Sequence, residues 1–352
     1  MNKVAAWFEE RLGLSAVVHF GAKKEVPRNK HTVWSYTGSA ILVFFAFQVV
    51  TGILLAFYYR PTLEAANDSV GRIMTEITLG WVVRSIHSWS ATFMIVTVFV
   101  HLTSIALTKA YRRPRELTWM TGIFLLAVTL FFGFTGYLLP WDEVSLAATK
   151  VGTDLPKGIP VVGPWVTRLL RGGDDVTGDT LSRFFILHVS VLPLVLLALL
   201  AVHVYLIQKL GMSAPLKAEL RGEKVPSYPF WPDFVVREAS VWLVLLGILM
   251  TVSVLFAPSL GPPADLMAPA PPGIKPEWYF LFLFQTLKLF PATVLSVPGE
   301  TIALVHIGLG ALALFLLPLI DSRPETRRGK VVTAVFVVFL AYAVGMSVWS
   351  LL

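Results

Sequence analysis

Seven stretches of the chain are long and apolar enough to cross a lipid bilayer, at residues 33–58, 79–107, 117–139, 181–207, 241–260, 302–320 and 331–351. A spanning helix needs about 20 mostly apolar residues. Backbone amides find no water inside lipid, so a crossing segment must satisfy them internally, as a helix or within a closed barrel. A barrel would show segments of roughly 10 residues with alternating polarity, and these runs do not alternate. The expected fold class is therefore all-α integral membrane, with seven transmembrane helices. Charged residues form 14% of the chain, against about 25% in soluble domains. The chain has no cysteine, which excludes disulfides, iron–sulfur ligation, covalent c-type haem attachment and thiol catalysis within it. The opening MNKVAAWFEERLGL interrupts its apolar residues with Glu9, Glu10 and Arg11. It reads as an amphipathic surface helix rather than a cleaved signal.

Lysine and arginine set the orientation, because cytoplasmic loops carry their excess. Lys3, Arg11, Lys23, Lys24, Arg28 and Lys30 precede the first stretch, and Lys109, Arg112, Arg113 and Arg115 follow the second. Lys209, Lys217, Arg221 and Lys224 follow the fourth, and Arg323, Arg327, Arg328 and Lys330 the sixth. The other loops are poorer in basic residues or offset them with acids. The expected N-terminus is cytoplasmic. Two long loops rich in Pro and Gly, 140–180 and 259–300, then share the outer side, and loops of that length are usually functional. The polar segment 211–236 is the clearest internal boundary, and no internal repeat is visible.

Four of the seven histidines lie within apolar stretches: His87 and His101 on the second, His188 and His203 on the fourth. A single such histidine is as readily a packing residue bonded to a carbonyl as a functional one. Two pairs on two helices are much harder to dismiss. Their spacings are 14 and 15 residues. At about 100° and 1.5 Å per residue, each pair falls broadly on one face, roughly 21–22 Å apart. One span separates the two helices, so they run parallel. His87 then shares a depth with His188 near the outer side, and His101 shares one with His203 near the inner side. Two facing imidazoles make a bis-histidine haem site, so two non-covalent b-type haems are expected. A bare zinc ion would need further ligands.

Gly38 and Gly52, on the first stretch, are 14 residues apart, as are Gly122 and Gly136 on the third. Glycine allows close approach to the backbone, here of a porphyrin face; the alternative is ordinary small-residue helix packing. Arg84, Arg183 and Arg115 stand where haem propionates would need cations, or are interfacial side chains reaching for the membrane surface. Pro193, five residues after His188, removes a backbone donor and should bend that helix, helping both ligands to point inward.

The segments RSIHSWSA (84–91) with His101, RPRELTWMTG (113–122), GYLLPWDE (136–143), SRFFILH (182–188), His203 and PEWYFLFLFQ (276–285) resemble cytochrome b of the quinol–cytochrome c or plastocyanin oxidoreductases. The photosynthetic b–f type looks nearest. WFEERL (7–12) resembles its surface helix, the 15-residue histidine spacing is its pattern, and it too has seven spans where the mitochondrial type has eight. Residues 1–222 resemble its four-helix di-haem subunit, and 223–352 its three-helix partner subunit, joined here in one polypeptide. There are departures. Tyr36 stands where the b–f type attaches an extra haem through cysteine. His19 falls near the place of an acidic residue of the inner quinone site, and Gln208, followed by Lys209, replaces a basic one.

The resemblance implies a quinol-oxidising subunit that passes electrons across the membrane and contributes to proton translocation. Glu277 alone reads as a solvated loop glutamate; the family pattern makes it the quinol ligand and proton acceptor, with Tyr279, Pro276, Trp278 and Trp141 shaping the outer quinone pocket. Gly136 to Trp141 line the same region. His19, Lys209 and Asp233 are the inner-site candidates, while His31 and His306 read as structural or interfacial. Implied partners are a Rieske-type iron–sulfur protein, a c-type cytochrome, quinone and lipid, within a dimeric complex of a bacterial cytoplasmic membrane; no nucleic acid is expected. Rival readings are the membrane cytochrome b of a formate dehydrogenase or hydrogenase, and a non-redox transporter or scaffold.

Overall fold

The computed structural model describes residues 3–13, 15, 23–27 and 32–352. In chain order its helices are α1 (Lys3–Leu12), α2 (Thr37–Ala56), α3 (Ala66–Thr75), α4 (Gly80–Leu107) and α5 (Glu116–Leu138). Next come α6 (Glu143–Asp154), α7 (Gly163–Arg171), α8 (Gly178–Leu210), α9 (Leu216–Leu220) and α10 (Val235–Leu255). The last are α11 (Leu281–Lys288), α12 (Gly299–Phe315), α13 (Leu317–Ile320) and α14 (Arg327–Leu351). Six helices, including α10 with the turn before it, are long and apolar enough to cross a membrane; α12 is apolar but shorter.

Two prolines explain where helices depart from simple periodicity. The expected stretch 302–320 breaks after Phe315 because Pro318 has no N–H to offer the Leu314 carbonyl. That carbonyl accepts the Trp119 indole N–H at 2.8 Å instead. In α8, Pro193 likewise withholds a donor from Val189. The turn just before it, Leu187–Val191, widens into a π turn that contains His188. A π turn takes up one extra residue. The 15-residue spacing, about 60° off register in a straight α-helix, then behaves like the 14-residue spacing on α4. Where the sequence leads to the expectation of a bend at Pro193, the feature found beside it is a register correction.

Helix α2 packs along α4, and α5 along α8; α10 leans on α4 and α2, while α11 packs against α14 beside α12. The fifth long helix therefore rests on the histidine-bearing half. It is held there by Trp242 Nε1 donating to Ser39 Oγ (3.1 Å) and Ser85 Oγ donating to the Ser253 carbonyl (2.6 Å). Phe44, Met94 and Leu249 are buried at this junction. Helices in lipid gain little from hydrophobic exclusion of one another, so such packing and interhelical bonds hold them together. Leu194 and Val338 point outward, 66% and 67% exposed, as a lipid-facing surface requires.

The loops segregate to two ends. At one, β1 (Glu25–Pro27) pairs antiparallel with β2 (Ser227–Pro229), joining the N-terminal arm to the segment before α10. Arg112 bonds Glu219, and Lys109 bonds Asp321 at 2.6 Å, at the same end. At the other end Asn67 Nδ2 donates to the carbonyls of Pro140 (3.2 Å) and Gly261 (3.3 Å). There Trp141 accepts the Ala264 amide at 3.1 Å, and the Thr301 hydroxyl donates to Gly158 at 2.9 Å. A small hairpin, β3 (Thr293–Val294) with β4 (Val297–Pro298), precedes α12.

Candidate functional site

The four intramembrane histidines meet in two pairs between α4 and α8. The His87 and His188 ring centres are 6.3 Å apart, with planes inclined by 72°. A metal bond of about 2.0–2.1 Å from each imidazole nitrogen places two ring centres roughly 6 Å apart, so one iron fits between them. His101 and His203 lie within electrostatic reach of each other. Among the described residues no group of three or more His, Cys, Asp or Glu side chains could hold a metal ion. Pairs of imidazoles, with no further donors, suit the two axial positions of a haem iron whose other ligands come from the porphyrin.

Each histidine is met by one of the four glycines. An added Cβ would stand 3.6 Å from His101 Cε1 at Gly38, 3.2 Å from His87 at Gly52, 3.3 Å from His203 at Gly122 and 2.7 Å from His188 at Gly136. The glycines therefore clear space for the imidazole edges themselves. The residue before each glycine is a threonine. Thr37 Oγ1 lies 2.8 Å from His101 Nδ1, and Thr51, Thr121 and Thr135 lie 2.9 Å from Nδ1 of His87, His203 and His188. Sequence reading passed over these threonines. The signal was a Thr-Gly dipeptide repeated at 14-residue spacing on two helices.

The three arginines are engaged with backbone carbonyls. Arg84 donates to Pro258 (2.6 Å) and Ser259 (3.2 Å), Arg183 to Leu169 (3.1 Å), and Arg115 to Gly211 and Leu210 (both 3.3 Å). A guanidinium has five N–H donors, so these bonds leave capacity for an anionic ligand.

Residues 276–280 enter between α4 and α5. Tyr279 is buried, and its hydroxyl lies 2.5 Å from where a Gly133 Cβ would be. Only glycine at 133 leaves room for that ring. Trp278 lies against Phe99 at 6.3 Å, and Phe280 against Phe134 at 6.5 Å. Pro276 and Glu277 are half-buried. Burial pushes the Glu277 carboxyl above the usual range, against a lowering bond from the Trp278 backbone. Tyr279 is held un-ionised by burial first and by the Glu277 charge second. Trp141 is placed differently from the expectation of a pocket wall: it is 2% exposed within an apolar cluster of Ala66, Leu146, Val176 and Leu181. Asp142 beside it caps α6, accepting the Ser145 amide at 2.8 Å, and also accepts the Gly261 amide at 3.3 Å. This tryptophan supports the floor of the outer loops.

Of the inner-side candidates, His19 lies outside the described residues, as does His31. Lys209 sits over the Tyr205 ring, 6.0 Å from its centre. Asp233 belongs to the π turn Phe230–Phe234, next to the point where Lys24 bonds Gln208. Tyr36 stacks against Phe234 at 5.2 Å. Glu238, which sequence reading missed, is 8% exposed in the first turn of α10. A buried carboxyl at the start of an apolar helix is a functional candidate in its own right; the sequence signal was an acid just before the fifth apolar stretch.

Comparison with known proteins places these features in a wider group. A family model described as cytochrome b/b6/petB matches residues 22–211, and one described as cytochrome b (C-terminal)/b6/petD matches residues 263–351. A cytochrome bc complex cytochrome b subunit of Chlorobaculum thiosulfatiphilum is 41% identical over 343 residues, covering 97% of this chain and 79% of that protein. Cytochrome b6 of Tupiella akineta and of Acaryochloris marina (strain MBIC 11017) are each 44% identical over 216 residues, 61% of this chain and 100% of theirs. Among solved structures, a chain of a hyperthermophilic respiratory Complex III superposes with TM-score 0.87 at 29% identity, covering 99% of this chain and 91% of that one.

Proposed function

The chain belongs to the cytochrome b/b6 family, and from that premise we propose that it is the cytochrome b subunit of a bc-type quinol–cytochrome c oxidoreductase. The observation that carries the reading is the pair of facing imidazole sets, each ring backed by its own Thr-Gly step. His87 with His188 would hold one non-covalent b haem toward the outer side, and His101 with His203 a second toward the inner side. When bound, the two haems carry single electrons across the bilayer.

The protein's own groups bind quinone and move protons. At the outer side the half-buried Glu277 accepts a quinol hydroxyl proton, helped by its raised proton affinity. Tyr279, wedged against Gly133, fixes the backbone that presents Glu277, and Pro276 and Trp278 flank it. At the inner side Glu238 joins Lys209, Asp233 and His19 as a group that delivers protons to a bound quinone. Proton uptake on one side and release on the other makes the subunit contribute to translocation.

In this reading α12 crosses the membrane with the six longer helices. The basic end is cytoplasmic, and the 276–279 segment faces the outer side of a bacterial cytoplasmic membrane. Residues 1–222 form the di-haem part and 223–352 the three-helix part, with α10 bridging them. A Rieske-type protein and a c-type cytochrome accept electrons within a dimeric complex. A redox titration of the purified complex, with haem extracted and counted per chain, tests the proposal. Two b haems of separate potential support it; one or none removes it.

A further inference from the structure

We propose that Thr37, Thr51, Thr121 and Thr135 are positioning residues that fix the tautomer of the four histidines. The inference rests on the haem reading above and extends it to groups that touch only the ligands.

Each threonine hydroxyl has one proton, and each already donates it within its own helix. Thr37 donates to the Trp34 carbonyl (2.7 Å), Thr51 to Phe47 (2.5 Å) and Thr135 to Phe132 (3.1 Å). Thr121 faces the carbonyls of Leu117 and Thr118, both at 2.9 Å. With its proton committed, the oxygen can only accept from the histidine it faces. Nδ1 must then carry hydrogen, and the Nε2 lone pair is left free to bind metal between the helices. A bond from Nδ1–H raises the basicity of the metal-binding nitrogen. The adjoining glycine brings each ring close enough for this bond.

Loss of any of the four hydroxyls leaves a buried Nδ1–H without the oxygen it faces.

The test is a redox titration of the purified complex carrying Thr51→Val, Thr37→Val, Thr135→Val or Thr121→Val, each beside its Thr→Ser counterpart, with haem counted in every preparation. Each Thr→Val variant weakens ligand basicity and raises the potential of the haem it serves. The expected change is about tenfold in its oxidised-to-reduced ratio, or about 59 mV for a one-electron couple. Serine restores the wild-type value at all four positions. Loss of one haem in a valine variant with retention in its serine partner also supports the proposal. Serine shifting as far as valine, or unshifted valine variants, would overturn it. Absence of haem from the wild-type complex would instead remove the underlying reading.

Discussion

The two ends of the molecule are built from different chemistry. The end that carries Trp141 is stitched largely by side chains bonded to backbone groups, beside ion pairs such as Arg171–Asp154. Asn67, Arg84, Trp89, Asp142 and Thr301 each reach a backbone group of a different loop or helix. The opposite end is held by buried charge: Lys109 bonds Asp321 at 2.6 Å and the Gly329 carbonyl at 3.0 Å, while Tyr111 also donates to Asp321. Arg112 and Glu219 form a second pair. The first network fixes the loops on the side of the half-buried Glu277 carboxyl. The second fastens α13 and α14 to the loop after α4.

That contrast can be broken most sharply at the outer carboxyl. Glu277→Gln removes the proton acceptor but keeps its shape, and quinol oxidation should fall by about 10²–10⁴, the range for general-base loss. Steady-state turnover with haem content held equal checks this; a change below threefold would place proton acceptance elsewhere. At the inner end, Asp321→Ala strands the Lys109 ammonium, and breaking a buried pair costs about 3–5 kcal/mol. The expected result is lower thermal stability of the assembled complex with unaltered haem spectra. Breaking an exposed pair such as Arg168–Asp174 should leave thermal stability close to unchanged, because solvent screens it.

A glycine comparison sharpens the contrast further. Gly136→Ala puts a methyl 2.7 Å from the His188 ring, whereas Gly38→Ala puts one 3.6 Å from His101. Overpacking costs about 1–3 kcal/mol, so the outer haem should lose occupancy or shift its spectrum while the inner haem stays near normal. Equal effects at both sites would contradict the packing described. The smallest effect concerns pH. Only ionised Glu277 accepts a proton, and burial raises its proton affinity. Activity should therefore climb as pH rises through that elevated value. The acid limb should lie above that of an exposed glutamate and disappear in Glu277→Gln.

Much of this architecture was legible in sequence because lipid leaves a helix few choices. Apolar length located the long helices, and fixed rise and rotation paired His87 with His188. The misses have physical causes. Pro318 ends α12 early, a break that hydropathy does not register. The π turn at His188 arises from a lost amide three-dimensionally coupled to ligand register, so counting residues at 100° left a discrepancy. Trp141 was assigned from its neighbours in sequence, but its burial is decided by α3, α6 and α8 arriving from elsewhere in the chain. The threonines that face Nδ1 were hidden because a cross-helix hydrogen bond has no local pattern; only the recurrence of Thr-Gly betrays it.

The central claim is that paired imidazoles hold cofactor at two separate depths. A spectroscopic redox titration of His87→Leu and His101→Leu complexes tests it most directly. Each variant should lose a different one of two b-haem components, leaving the other at its own potential. Retention of both components in either variant, or disappearance of the same one from both, would contradict the account.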